Sequence, residues 1–166
     1  MWAARIGQTT NFYREGKGAA LRCARLAAYL ESRAGAPILL VGEAPGYRGA
    51  RVSGIPFTSE RQLTGAGPAE ATATIVQRVL AELGLTDEVL LWNVVPTHPG
   101  TATSNRPPSS AEIEGGRIFA DELAEKRRVV AVGRVAHAAF GGAYVRHPSH
   151  GGATEFARML RAVIEA

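Results

Sequence analysis

Ile38-Leu39-Leu40-Val41-Gly42-Glu43-Ala44-Pro45-Gly46 joins a short, wholly apolar run to a loop bounded by glycine and proline. A four-residue apolar run without polar alternation reads as a strand buried on both faces, and Gly42 stops it. Upstream, Glu15 to Arg33 reads as a helix with Leu21, Ala24, Arg25, Ala28 and Tyr29 on one face; Gly35-Ala36-Pro37 ends it. Downstream, Gly42 to Pro68 has no convincing period and reads as a long loop, a length that in a compact domain usually signals function.

The same alternation then continues. Pro68 opens a helix to about Leu83, its inner face carrying Ile75, Val76, Val79, Leu80 and Leu83. Val89 to Val95 is the second strand, followed by a proline-rich loop from Pro96 to Pro108. Ser109 and Glu112 have capping-box spacing for a helix through Glu125. Val129 to Val132 and Ala143 to Arg146 are the remaining strands, separated by a short helix over Val135 to Phe140. A helix from about Thr154 to Ile164 closes the chain. Strands alternating with helices predict a parallel α/β sheet in a single domain, residues 1–166. In such sheets ligands bind beyond the carboxyl ends of the strands. The loops at 42–68, 96–108 and 147–152 should therefore meet at one cleft.

Composition narrows the class. Hydrophobic residues make up 46% of the chain and charged ones 20%, which fits a folded domain and excludes a disordered one. Nineteen Lys and Arg against fifteen Asp and Glu give a net charge of +4, compatible with a polyanionic partner but not diagnostic of one. No apolar run approaches a membrane span, and Met1 to Thr10 lacks the apolar centre of a signal peptide, so a cytoplasmic protein is expected. The single cysteine, Cys23, leaves neither an internal disulfide nor a cluster held by several thiolates.

Several residues carry chemistry. The backbone N–H groups of Gly42 to Gly46 either form a plain tight turn or cradle an anion or a polarised carbonyl. It is not a Walker loop, since no Gly-Lys-Ser/Thr follows, nor a dinucleotide loop, whose glycine spacing it lacks. Phe57, in Gly54-Ile55-Pro56-Phe57-Thr58, either plugs its loop or offers a stacking face to a base. Asn93 interrupts the apolar strand Leu91-Trp92-Asn93-Val94-Val95. A buried amide must find partners; it either braces a neighbouring loop or presents one donor and one acceptor to the edge of a base. His147-Pro148-Ser149 offers an imidazole, a hydroxyl and free N–H groups at a turn entering a helix. His147 and His150 are three apart, but the turn contains Pro148 and Gly151 and no carboxylate or thiolate stands near, so no metal site is read there. No Gly-x-Ser-x-Gly elbow occurs, which argues against a serine hydrolase.

Taken in order, these segments resemble the uracil-DNA glycosylase superfamily. The likeness runs through Leu39 to Gly46, Gly54 to Thr58, Asn93-Val94-Val95, Asn105 to Ile113, Val129 to Gly133 and His147-Pro148-Ser149. It implies a three-layer α/β/α sandwich on a four-stranded parallel sheet. It implies a monofunctional DNA-repair hydrolase that flips uracil out of DNA, cuts the N-glycosidic bond and leaves an abasic site, as a monomer and without a cofactor. Phe57 would stack on uracil, Asn93 would read its O4 and N3–H edge, and His147 would stabilise negative charge on O2. Gly42, Glu43, Ala44 and Gly46 would shape the pocket, with Tyr47 beside them.

Three departures accompany the likeness. Iron–sulfur members carry four cysteines, and here Thr97 and Gly115 or Gly116 stand near two of those places, so no cluster is expected. Ala44 stands where the best-known members have a catalytic Asp, and Gly46 where they have a Tyr that closes the pocket to thymine. Thymine exclusion would then fall to Glu43, Tyr47 or another loop residue. Glu43 and Glu60 are the rival replacements for the Asp, and each also reads as an ordinary loop charge. Ala44 also admits a protein that binds uracil or abasic sites with weak turnover, and Gly46 a glycosylase for hypoxanthine or xanthine. Arg48, Arg51, Arg61, Ser149 and Gly151 are candidate phosphate contacts or plain surface groups, and His150 a candidate to fill the gap left by a flipped base.

Overall fold

The computed structural model describes residues 3–166. Along the chain run α1 (Ala19–Ser32), β1 (Ile38–Gly42), α2 (Ala50–Ser53), α3 (Glu60–Thr64), α4 (Ala71–Glu82) and β2 (Val89–Asn93). Then follow α5 (Ser110–Ala124), β3 (Arg128–Val132), α6 (Arg134–Phe140), β4 (Ala143–Val145) and α7 (Ala153–Glu165). The strands are all parallel, in the order β2-β1-β3-β4.

Side chains alternate across a strand, so one sheet feeds two cores. Leu39, Val41, Leu90, Trp92 and Ala131 pack with Leu26 of α1, Ala120 of α5 and Ala136 of α6. Ile38, Leu40, Val89, Leu91, Val130 and Val132 pack with Val76, Val79 and Leu80 of α4 and with Phe156 and Leu160 of α7. The result is the expected three-layer α/β/α sandwich. Leu39, Leu40 and Val41 are wholly buried, each contributing about 1.5–3 kcal/mol relative to an exposed position.

Most boundaries fall within a few residues of the sequence reading, and the departures have physical causes. Helix α1 starts at Ala19, not Glu15, because Gly16 and Gly18 hold φ of +81° and +87°. The segment before it is pinned by Arg22, whose Nε donates to the Phe12 carbonyl at 2.6 Å. The 42–68 stretch is not all loop; it carries α2 and α3. Helix α4 begins at Ala71, so Pro68-Ala69-Glu70 stand outside it. The capping box is present: the Ser109 hydroxyl accepts from the Glu112 N–H at 3.3 Å, and the Glu112 carboxylate accepts from the Ser109 N–H at 2.9 Å.

The chain passes from β1 outward to β2, then returns to the other side of β1 for β3. Connections leaving β1 and β3 diverge at that reversal, and a crevice opens beyond their carboxyl ends. The site lies there.

Candidate active site

A cleft of about 480 Å³ sits at the carboxyl ends of the strands, lined among others by Glu43, Phe57, Glu70, Asn93, Asn105 and His147. The three loops expected to converge do so. Their contributions differ.

Gly42 ends β1 with no room for a side chain. A Cβ there would strike the Phe57 ring and come within 3.1 Å of Asn93 Oδ1. The glycine thus lets a ring and an amide close on the same backbone atom. Phe57 holds φ at +49°, in the left-handed region, a strain of about 1–2 kcal/mol that the surroundings must hold in place. They do so from two elements: Gln77 of α4 donates to the Phe57 carbonyl at 3.2 Å and to the Thr58 hydroxyl at 3.0 Å. The Ser53 hydroxyl donates to the Thr58 carbonyl at 2.6 Å.

Asn93 ends β2 and is 4% exposed. Its side-chain amide makes no hydrogen bond to protein among the described residues, yet it lines the cleft. The bracing role considered from sequence is therefore unfilled. A buried amide with donor and acceptor both unspent faces whatever occupies the cleft.

His147 follows β4. Its Nδ1 accepts from the Ser149 N–H at 3.2 Å and lies 2.7 Å from the Ser149 hydroxyl. That hydroxyl is 2.9 Å from His150 Nδ1. A backbone N–H can only donate, so Nδ1 is the acceptor and the ring proton resides on Nε2. Burial, and secondly the neighbouring His150, hold the His147 pKa below its ordinary value, which favours this neutral form.

The acids sort differently from the sequence reading. Glu43 lines the cleft, and burial raises its pKa. Glu60 does not line it. Its carboxylate is gripped at both oxygens by Arg25 of α1, at 2.8 and 3.0 Å, so as a partner in chemistry it is corrected to a structural ion pair. Glu70, which sequence reasoning passed over, does line the cleft, and burial raises its pKa too.

The family model described as the uracil DNA glycosylase superfamily matches residues 31–164. The chain belongs to the uracil DNA glycosylase superfamily. A solved structure, wild-type SMUG2 of Pedobacter heparinus, is similar in fold: TM-score 0.66 over 95% of this chain and 86% of that one, at 15% identity. No curated protein matches by sequence. Family membership makes the protein a DNA glycosylase, a repair hydrolase that acts on DNA.

Other expected positions of this superfamily member are placed as follows. Ala44 lines the cleft with a methyl group and packs against the core cluster that holds Val41 and Trp92. Tyr47 does not line it; its N–H donates to Asn105 at 2.9 Å and its ring lies under the Arg48 guanidinium at 5.4 Å. Arg48 is exposed, whereas Arg51 donates to the Tyr47 and Ala102 carbonyls. Arg61 is exposed and donates to the Gly67 carbonyl. His150 and Gly151 form an exposed turn with φ of +52° and +74°. Thr97 bonds the hydroxyl of Thr9, and a Cβ on Gly116 would meet the Val94 carbonyl at 2.6 Å. A second residue missed from sequence is His98, 1% exposed, whose ring nitrogens lie 2.8 Å from the Pro45 carbonyl and 2.9 Å from that of Thr101. It clasps the Gly42–Gly46 loop to the proline-rich loop. A His five residues beyond the strand that ends in Asn93 was the available signal, as was an acidic residue just before a helix for Glu70.

Proposed function

We propose that this protein excises uracil from DNA by hydrolysing the N1–C1′ bond, releasing the base and leaving an abasic site. One observation carries the reading: the buried Asn93 amide, unspent among the described residues, lines the same cleft as a His147 whose proton is fixed on Nε2. Uracil presents an acceptor at O4 and a donor at N3–H, and the amide complements both. Cytosine presents the reverse pattern on that edge. Phe57 supplies a ring for the flipped base to stack on; flipping costs a few kcal/mol, least where the base is mismatched or single-stranded.

As the N1–C1′ bond breaks, its electron pair stays with the pyrimidine and charge gathers on O2. The His147 Nε2–H donates to that oxygen, and the Ala44 N–H, which makes no hydrogen bond to protein among the described residues, stands ready as a second donor. Preorganised donors of this kind lower the barrier because they need no reorientation as charge develops. Water then adds to C1′ and gives a proton to Glu43, the acid of the Gly42–Gly46 loop. The expected partner is uracil-containing DNA, reached by a protein of net charge +4.

Ala44 favours a second reading, recognition of uracil or abasic sites with weak turnover, because a methyl group stands at the place of a catalytic acid. Incubation with uracil-containing oligonucleotides in EDTA separates the two. Alkali-induced scission at abasic sites beyond one equivalent of enzyme supports excision; tight abasic-site binding without product supports the second reading.

A further inference from the structure

We propose that Glu70 sets the size of base the cleft accepts, its carboxylate forming a wall at Gly46 that stops a pyrimidine with a methyl-sized group at C5. The inference rests on the reading of the cleft as a uracil pocket. Glu70 precedes α4, and its carboxylate folds against Gly46 and Gly49 of the loop after β1. A Cβ built on Gly46 would land on one carboxylate oxygen, and a Cβ on Gly49 would land on the other. Neither glycine has a positive φ, so their missing side chains supply space and not conformational freedom. Two glycines are cut to fit one carboxylate.

That carboxylate has no partner among the described residues. It takes no hydrogen bond among the described residues and does not cap α4, although Glu70 occupies the N-cap position. Glu70 is half-buried, and the open side of its carboxylate is the cleft. The orientation of the base follows by elimination. Asn93 takes the O4 and N3–H edge, His147 takes O2, and N1 carries the sugar. The C5–C6 edge remains, and the bare backbone of Gly46 with Glu70 behind it is the lining left to receive it. A C5–H fits against an oxygen there; a methyl group does not, and a pocket that resists one such group discriminates by about 10- to 200-fold.

The test compares release of uracil, 5-fluorouracil and 5-bromouracil from otherwise identical oligonucleotides. The two halogenated bases leave with similar ease but differ in bulk, so their ratio reports size alone. The wild type is expected to release uracil and 5-fluorouracil and to discriminate against 5-bromouracil. Glu70→Gln keeps the wall and the ratio. Glu70→Ala opens the wall and raises 5-bromouracil release relative to 5-fluorouracil at least 10-fold; Glu70→Asp moves the ratio the same way, less far, and serves if the alanine variant does not fold. A wild type indifferent to C5 bulk overturns the inference, as does an unchanged ratio in the shortened variants or a Gln variant that behaves like Ala. In those cases uracil release still stands. No release of any base by the wild type overturns the glycosylase reading, and the wall with it.

Discussion

The Ser149 N–H donates to Nδ1 of His147 across 3.2 Å, and that one contact decides which imidazole nitrogen faces the cleft as a donor. The Ser149 hydroxyl, 2.7 Å from the same nitrogen and 2.9 Å from His150 Nδ1, extends the arrangement to a second ring. Burial keeps His147 neutral over more of the pH range than an exposed histidine. The site therefore pairs a donor fixed by backbone geometry with an amide fixed by a strand end, and each can be tested separately.

Asn93→Asp replaces a donor-plus-acceptor edge with acceptors alone. Uracil O4 then faces a carboxylate oxygen, while the exocyclic amine of cytosine gains a partner. The preference for uracil over cytosine should fall roughly 10- to 100-fold, measured as the ratio of kcat/KM on matched oligonucleotides. An unchanged ratio removes Asn93 from base reading.

Glu43 and Glu60 should respond in opposite ways to conversion to Gln. Glu43→Gln is expected to slow release about 100-fold or more and to flatten the acid limb of the rate profile. Because burial raises the Glu43 pKa, its base form is lost as pH falls through that raised value, and wild-type activity should fall with it. Glu60→Gln should leave the rate near wild type and cost about 1 kcal/mol of stability, since its carboxylate is spent on Arg25. Equal kinetic losses in both would contradict the assignment.

Glu112 is 2% exposed and ties three segments together: Arg106 at 2.7 Å on both oxygens, the Ser109 N–H and the Gln8 N–H. The Arg106 guanidinium, first among these, pulls its pKa down to about 2 from 4.5. A depressed carboxylate stabilises the fold above its unfolded value, and that contribution is lost as pH falls from about 4.5 through about 2. Glu112→Gln should cost about 2–3 kcal/mol at neutral pH. The gap between variant and wild type should close in that acid window, followed by urea unfolding.

Glu70 gives the opposite sign. Burial raises its pKa, so its ionised form at neutral pH works against folding, and protonation at lower pH relieves the cost. Glu70→Gln should raise the melting temperature by roughly 2–4 °C at pH 8. The difference should shrink as pH falls through the raised value. A variant less stable than wild type at pH 8 would show that the carboxylate has a partner after all.

Much of this was legible in the chain. The apolar run Ile38 to Val41 announced a central strand, Ser109 and Glu112 announced a helix start, and Asn93 stood out as a polar residue in an apolar strand. These are local patterns, and local patterns survive folding. The acids were not legible in the same way. Glu60 is neutralised by Arg25, 35 residues away on α1, and Glu70 reaches the cleft because Gly46 and Gly49 leave a gap that only the folded loop reveals. Nothing in the spacing around Phe57-Thr58-Ser59-Glu60 reports either fact. His98 escaped for the same reason: its partners are backbone carbonyls of two loops whose mutual approach depends on the sheet order.

The most direct measurement of the central claim is single-turnover release of uracil from a uracil-containing oligonucleotide, in EDTA, by wild type and His147→Ala. The wild type should release the base and leave an alkali-labile abasic site, with the variant slower by about a hundred- to a thousand-fold while still binding abasic DNA. Folded wild-type protein that releases no uracil from single- or double-stranded DNA, or a variant that matches it in rate, would contradict the account.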